Sequence, residues 1–474
     1  MKSAKFESFK AVDVVCATDS PMSDCSNDFK LRYIPCPPAV LSSRQDFLLR
    51  LAIVCALATL FLWNLRAQTF NPILTAAEAH RMGAVLLRPS VIWFFMGAAM
   101  LGFRTALWFA YRPHPPAALH QAPPMTVVIP AYNEGAMVAQ SIDSVAGAFY
   151  ALERLQIIVV DDGSTDDTWM HIQRAIARHG DRVEAIRLAR NSGKRQALAA
   201  GFRRAKGEIF VTVDSDSLID PHALLALAGP FASERIGAVA GRVLVYNRRE
   251  GLIPRMLHVR YALSFDFLRA YQSTFRTVYC TPGALSAYRA SAVRKVMDKW
   301  LKQRFLGVPA TIGEDRAMTN DIMRLGYDTV YQRTATVLTV VPLTYRKLCR
   351  MFLRWDRSFI REEMRFATTI LWKRPPLVRA VALVDTFITN TRLPATFLTL
   401  ALLGLALYHG PLVLLRLLLA IGMASLMYSL FYLHTERSPD IVYGVLFGYF
   451  SFFGLFWIFP WALLTARVRG WLTR

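Results

Sequence analysis

Between Met125 and Asp216 the chain passes through three short stretches rich in Val and Ile, at residues 125–129, 156–160 and 208–213. This stretch constrains the fold more than any other. Runs so short and so apolar read as strands buried on both faces. Helical periodicity fills the intervals, around residues 137–152, 167–179 and 194–205. Strand, helix, strand at this spacing predicts a right-handed parallel α/β unit. Asp161 and Asp162 follow the second stretch, and Asp214 and Asp216 follow the third. Open α/β sheets bind ligands at the carboxyl ends of their strands. Paired acids there suit a divalent cation carrying phosphates. Ordinary strand-end turns would explain one Asp-Gly, but not the series.

The 474 residues are 54% apolar, and the apolar runs cluster at the two ends. That distribution predicts membrane segments around a water-soluble middle. Two spans are expected at residues 47–111, the first at 47–65 and the second at 91–111, each about long enough for a bilayer. Arg50 can snorkel, and Arg104 is expected to face a cavity or headgroups. Apolar runs at 377–408, 412–433 and 441–466 follow, and Asp385, Asn390, Arg392 and Arg416 are expected to line a polar path through them. Basic flanks place both the middle domain and the end of the chain in the cytosol, so residues 375–474 should make about four passes. Residues 1–46 read as a disordered cytosolic tail and 112–124 as a Pro-rich linker. Residues 125–342 form the middle domain, and 343–374 a basic amphipathic segment that lies at a membrane interface or docks on that domain. The formal charge of +22 points to nucleic acid, anionic membrane or phosphorylated substrates. No nucleic-acid motif is present, which leaves membrane lipids and phosphates. The six cysteines form no CxxC pair, so zinc and a disulfide framework are not expected.

The motifs read, in order, PAYNE (130–134), DDGSTDD (161–167), NSGKRQA (191–197), DSD (214–216), YCTPGALSAYR (279–289), GEDR (313–316) and MFLRW (351–355). Together they resemble the inverting nucleotide-sugar glycosyltransferases that include cellulose, chitin and hyaluronan synthases. The arrangement is most similar to hyaluronan synthases and chitin-oligosaccharide synthases. The resemblance implies a GT-A-like, Rossmann-related α/β domain embedded between transmembrane helices in the cell membrane. It also implies UDP-sugar substrates, a growing β-linked polysaccharide that is exported, and Mg²⁺ or Mn²⁺ as cofactor. A one-donor chitin-like synthase and a non-processive lipid glycosyltransferase are the alternative readings.

The same resemblance implies roles for residues. Pro130, Tyr132, Glu134 and Asp162 would line the nucleotide pocket, with Tyr132 either against the base or simply packed. Lys194 would face phosphate at the start of a helix. Asp214 would contact ribose or support the metal, and Asp216 would bind it. Cys280 would floor the acceptor pocket, supported by Tyr288 and Arg289. Asp315 is the candidate general base, with Glu314 and Arg316 beside it; an acidic helix cap is the plainer reading. Arg354 would hold the diphosphate and Trp355 would stack on the acceptor sugar. Processive relatives carry QxxRW, whereas this chain has Met351 at the Gln position. The end of the chain, RGWLTR with Trp471, resembles the WGTR-like ending of hyaluronan synthases.

Overall fold

A computed structural model of the chain describes residues 39–66, 89–391 and 412–468, together with Gly404 and Tyr408. Trp471, Arg392 and residues 1–38 of the expected tail lie outside the described residues; the end of that tail is not disordered, since Ser43 already opens the helix Ser43–Arg66.

The three Val/Ile stretches are strands β1 (Met125–Ala131), β2 (Leu155–Asp161) and β4 (Ile209–Val213). With β3 (Val183–Arg187) they form a parallel half-sheet in the order β3-β2-β1-β4. The sheet continues through β7 (Leu285–Arg289), β6 (Ile236–Val245) and β10 (Asp328–Thr339), and ends on β5 (Ser217–Ile219). β7 runs antiparallel to both β4 and β6, while β6 and β10 pair in parallel. The central parallel strands β1, β2 and β4 are buried on both faces, as their continuous apolar character requires, while the edge strand β3 is largely half-buried. The helices Met137–Ala146, Thr168–His179 and Lys194–Arg204 occupy the predicted intervals. The first ends earlier than its periodicity suggests, because Gly147 caps it.

Two helical segments contain a change of pitch. Residues 259–275 comprise the end of the helix Leu252–Ala262, a π-helical segment Leu263–Arg269, and the short helix Ala270–Thr274. The basic helix Tyr345–Arg365 likewise passes into a π-helical turn, Phe366–Ile370. Its arginines are engaged by protein. Arg357 donates to Thr465 Oγ1, Arg361 to the Ile312 carbonyl, and Arg365 to Asp321. Arg361 and Arg365 thus hold the helix against the sheet domain, and Arg357 holds it against the end of the last described helix.

Helices Ser43–Arg66 and Pro89–Ala110 precede the sheet, and Pro376–Asn390, Leu412–Glu436, Ile441–Gly454 and Ile458–Leu464 follow it. Among the described residues no single helix is long and apolar enough to cross a membrane. The pair Ile441–Gly454 and Ile458–Leu464, bent by 49°, meets that test together. Buried charge joins these helices to the domain. Arg104 donates to Asp385 Oδ1 at 2.8 Å and to Thr389 Oγ1 at 2.8 Å, and Tyr271 donates to the same Asp385 oxygen at 3.0 Å.

Candidate active site

The strand ends, the π-helical segment and the basic helix enclose a cavity of about 1340 Å³. Pro130, Tyr132, Glu134 and Asp162 line one side, at the carboxyl ends of β1 and β2. Asp162 has a defined task there. Its two carboxylate oxygens accept the backbone N–H groups of Ser192 and Gly193, both at 2.8 Å. It therefore shapes the turn that presents Lys194 at the start of its helix.

Lys194 is the electrostatic centre of the site. Its ammonium pairs with Asp214 Oδ1 and lies 3.2 Å from Glu314 Oε1, joining the acids after β4 to those of the GEDR motif. Burial works against its charge, but Asp214 and then Glu314 outweigh that and hold the ammonium above the usual lysine range. Gly283 makes this approach possible, since a Cβ there would come within 2.7 Å of Lys194 Nζ.

Glu314 and Asp315 open the helix Glu314–Arg324, in its first turn. Gly313 precedes it with a left-handed φ of 77°, and a Cβ there would fall 1.8 Å from Ser358 Oγ on the basic helix. The two motifs are thus packed backbone against side chain. The neighbouring carboxyls are driven in opposite directions. For Glu314, burial favours the neutral form, but Lys194 overrides it and keeps the group below the ordinary glutamate range. For Asp315, burial and then repulsion from Glu314 raise it above the ordinary aspartate range, against the pull of Lys194 and Arg316. Asp315 Oδ1 accepts the Arg316 N–H at 2.7 Å, and Oδ2 receives the Cys280 thiol at 3.6 Å. Burial pushes that thiol up to about 12, so Cys280 is a protonated wall of the pocket. A half-buried carboxylate with a raised pKa accepts a proton more readily than an ordinary aspartate; Glu314, salt-bridged and buried, does so less readily.

The remaining expected residues divide by position. Tyr288 is buried and hydrogen-bonds Thr281 Oγ1 at 2.9 Å, which in turn bonds Thr319 at 2.7 Å, so it braces the floor from below. Arg289 lies away from the cavity, where it binds the carbonyls of Ile236, Phe231 and Ser233. Arg316 meets Glu363 at 3.6 Å and covers the Phe359 ring. Arg354, Trp355 and Met351 all line the cavity, and Trp355 presents 38% of its surface. Tyr261 had no role in the sequence reading, yet its ring stands 6.1 Å from that of Trp355. It belongs to no motif, and only the packing of the helix Leu252–Ala262 brings it beside the basic helix.

Asp216 lines the cavity beside Asp214, and its Oδ1 accepts from Ser217 Oγ at 3.2 Å and Thr339 Oγ1 at 3.4 Å. Among the described residues no group of three or more His, Cys, Asp or Glu could hold a metal alone. This donor set fits an ion such as Mg²⁺, which commonly binds through one or two carboxylates and takes its other ligands from phosphate and water.

Residues 126–297 match the model of glycosyl transferase family 2. Over this stretch the chain is thus similar to family 2 glycosyltransferases. It is 36% identical over 245 residues to an N-acetylglucosaminyltransferase of Mesorhizobium japonicum, covering 51% of this chain and 57% of that protein. It is also 36% identical over 245 residues to a hyaluronan synthase of Streptococcus pyogenes, covering 51% of this chain and 58% of that one. The alignments thus span under three fifths of these relatives. Among solved structures, the mannosyltransferase PcManGT of Pyrobaculum calidifontis, in complex with GDP-Man and Mn²⁺, superposes with a TM-score of 0.55 at 21% identity, covering 76% of this chain and 98% of that one. That likeness supports the GT-A-like fold.

Proposed function

We propose that the protein is a membrane-embedded, processive inverting glycosyltransferase that builds a β-linked polysaccharide from UDP-sugars and exports it, in the manner of hyaluronan synthases. One observation carries this reading. Asp216, Asp315 and Trp355 share a single cavity, and that cavity runs on to Arg104, Thr389 and Tyr428 on helices outside the sheet. A site that transferred one sugar to a small acceptor would not need that extension; a growing chain would.

In this reading Tyr132 and Glu134 hold the nucleotide, and Trp355 supports the acceptor sugar. Arg354 binds the diphosphate with the planar guanidinium geometry suited to it. A Mg²⁺ or Mn²⁺ ion at Asp216, with Asp214 close by, would neutralise charge on the leaving diphosphate. The acceptor hydroxyl attacks the anomeric carbon from the side opposite the diphosphate. The new C–O bond forms as the old one breaks, UDP leaves with the bonding pair, and Asp315 takes the hydroxyl proton. Direct displacement needs no enzyme nucleophile, which agrees with a protonated Cys280. Lys194 keeps Glu314 ionised, so the two adjacent acids do not compete for the proton.

The N-acetylglucosaminyltransferase relative favours a second reading with one donor. The test is the purified full chain in lipid nanodiscs, supplied with UDP-N-acetylglucosamine and UDP-glucuronic acid singly and together. Polymer only from the pair, digestible by hyaluronan lyase, supports the first reading. Polymer from UDP-N-acetylglucosamine alone, digestible by chitinase, replaces it with the second. Transfer to lipid without polymer removes both.

A further inference from the structure

We infer that Tyr261 contacts the donor: its hydroxyl hydrogen-bonds the leaving diphosphate, while its ring extends the wall that Trp355 offers to the acceptor. The inference rests on the nucleotide-diphosphate reading above, but adds a residue that no motif includes.

Tyr261 is the penultimate residue of the helix Leu252–Ala262, next to the π-helical segment. Pitch changes of this kind often sit at functional sites. The residue is 7% exposed, and the surface it retains belongs to the cavity. Buried tyrosines usually satisfy their hydroxyls. Tyr111, Tyr288 and Tyr331 do so, bonding the Tyr331 carbonyl, Thr281 and Asp266. The Tyr261 hydroxyl has no hydrogen-bond partner among the described residues and is not sealed in protein; it opens on the cavity.

The surroundings of that hydroxyl indicate the missing partner. Arg260, Asp216, Arg354 and Arg269 are the charged groups acting on it. A donor set between three arginines and the proposed cation ligand suits a polyanionic oxygen ligand, and a nucleoside diphosphate is the one this site would bring there. A neutral sugar hydroxyl would not call for such a field. Burial raises the phenol above its usual range, so it keeps its proton and can donate. The ring adds a second element. It lies 6.1 Å from Trp355 at 42° and 6.3 Å from Phe265, and Trp355 meets Phe352 at 5.4 Å. The four rings form a continuous aromatic wall beside the diphosphate position.

The test uses the full chain in nanodiscs and reads UDP affinity by calorimetry, turnover by UDP release, and folding by thermal midpoint. Tyr261→Phe keeps the ring and should keep the midpoint. It should weaken UDP binding and slow UDP release by about 10- to 100-fold, the range for a hydrogen bond to a charged group. Tyr261→Leu should also release more UDP per sugar incorporated, because the wall is broken. Tyr261→His restores a ring N–H and should bind UDP more tightly than Tyr261→Leu. Wild-type UDP affinity and turnover in Tyr261→Phe, or equal affinities in the His and Leu variants, would overturn the inference. The readouts separate it from the polymerase reading. Weaker UDP binding in a chain that makes no polymer sinks only the latter, while unchanged binding in a chain that does make polymer sinks only the former.

Discussion

Lys194→Met tests whether one ammonium holds the catalytic acids together. The change keeps the length of the side chain and removes its charge. Lys194 and Glu314 retain only 16% and 6% of their side-chain exposure, so solvent screens this contact little. Removing one partner of a buried pair typically costs about 3–5 kcal/mol, because the other charge is left uncompensated. Asp214, at 28% exposure, is partly solvated, which places the expected loss toward the lower end of that range. The sign with pH follows from Glu314. In the native chain its pKa is depressed, so its stabilisation is present above the unfolded value and lost as pH falls through the folded one. Without Lys194, burial is opposed only by the Glu314 backbone N–H and Arg354, and the folded pKa should rise above the unfolded value. Ionised Glu314 then destabilises the fold at neutral pH and is relieved by protonation in acid. The deficit of Lys194→Met should therefore be large at pH 7.5 and clearly smaller near pH 5, as measured by denaturant unfolding in nanodiscs. Lys194→Met with Glu314→Gln should be more stable at pH 7.5 than Lys194→Met alone. A deficit independent of pH, or a double variant that merely adds two losses, would refute the argument.

Four further outcomes follow from the same geometry. Asp315→Asn should lower transfer by on the order of 10²–10⁴-fold while UDP affinity is retained, as kinetics and calorimetry on one preparation will read. In the native chain the raised pKa of Asp315 should place the acid limb of kcat/KM above the ordinary aspartate value of about 3.9, since the base must be ionised. Asp216→Ala should abolish the gain in UDP affinity that Mn²⁺ gives the native chain, and EDTA should reproduce the variant. Met351→Gln, at a buried position lining the cavity, should leave UDP release unchanged and lengthen the product on sizing gels.

Much of this site was legible because its parts are local. A Val/Ile run followed by acids has few alternatives to a buried strand with a ligand-binding end, and β1, β2 and β4 adopt it with the predicted order of helices. Asp214, Asp216, Asp315 and Trp355 could be named from the motif series, and one cavity receives all four. Pairing across sequence was not legible. Lys194 was expected to face phosphate, and nothing in NSGKRQA indicates that its partner is Glu314, 120 positions later. Gly313 shows why: its φ of 77° and its contact with Ser358 depend on how two distant helices pack. Tyr261 was hidden for a different reason: it belongs to no motif, and it stands at the end of the helix Leu252–Ala262, just before the change of pitch, where only packing brings it to Trp355.

The same change of pitch bears on how the domain and the outer helices act together. Asp266 lies inside the π-helical segment and is buried. It accepts from Arg242 on β6 at 2.8 Å, and from Arg333 at 3.1 Å and Tyr331 at 3.0 Å on β10. Arg242 in turn reaches Glu436 at the end of the helix Leu412–Glu436, and the Trp108 indole of the helix Pro89–Ala110 donates to the Asp266 carbonyl at 2.6 Å. One residue, through its carboxylate and its main-chain carbonyl, thus ties two sheet strands and two outer helices to the segment that carries Phe265 and Arg269 into the cavity. Satisfied buried networks of this kind hold a unique arrangement, and losing one member leaves the others unpaired. The wall beside the catalytic acids is therefore fixed by contacts from both sides. A displacement of the outer helices, such as a passing chain would cause, reaches the reaction centre through covalent backbone and paired charge rather than through solvent.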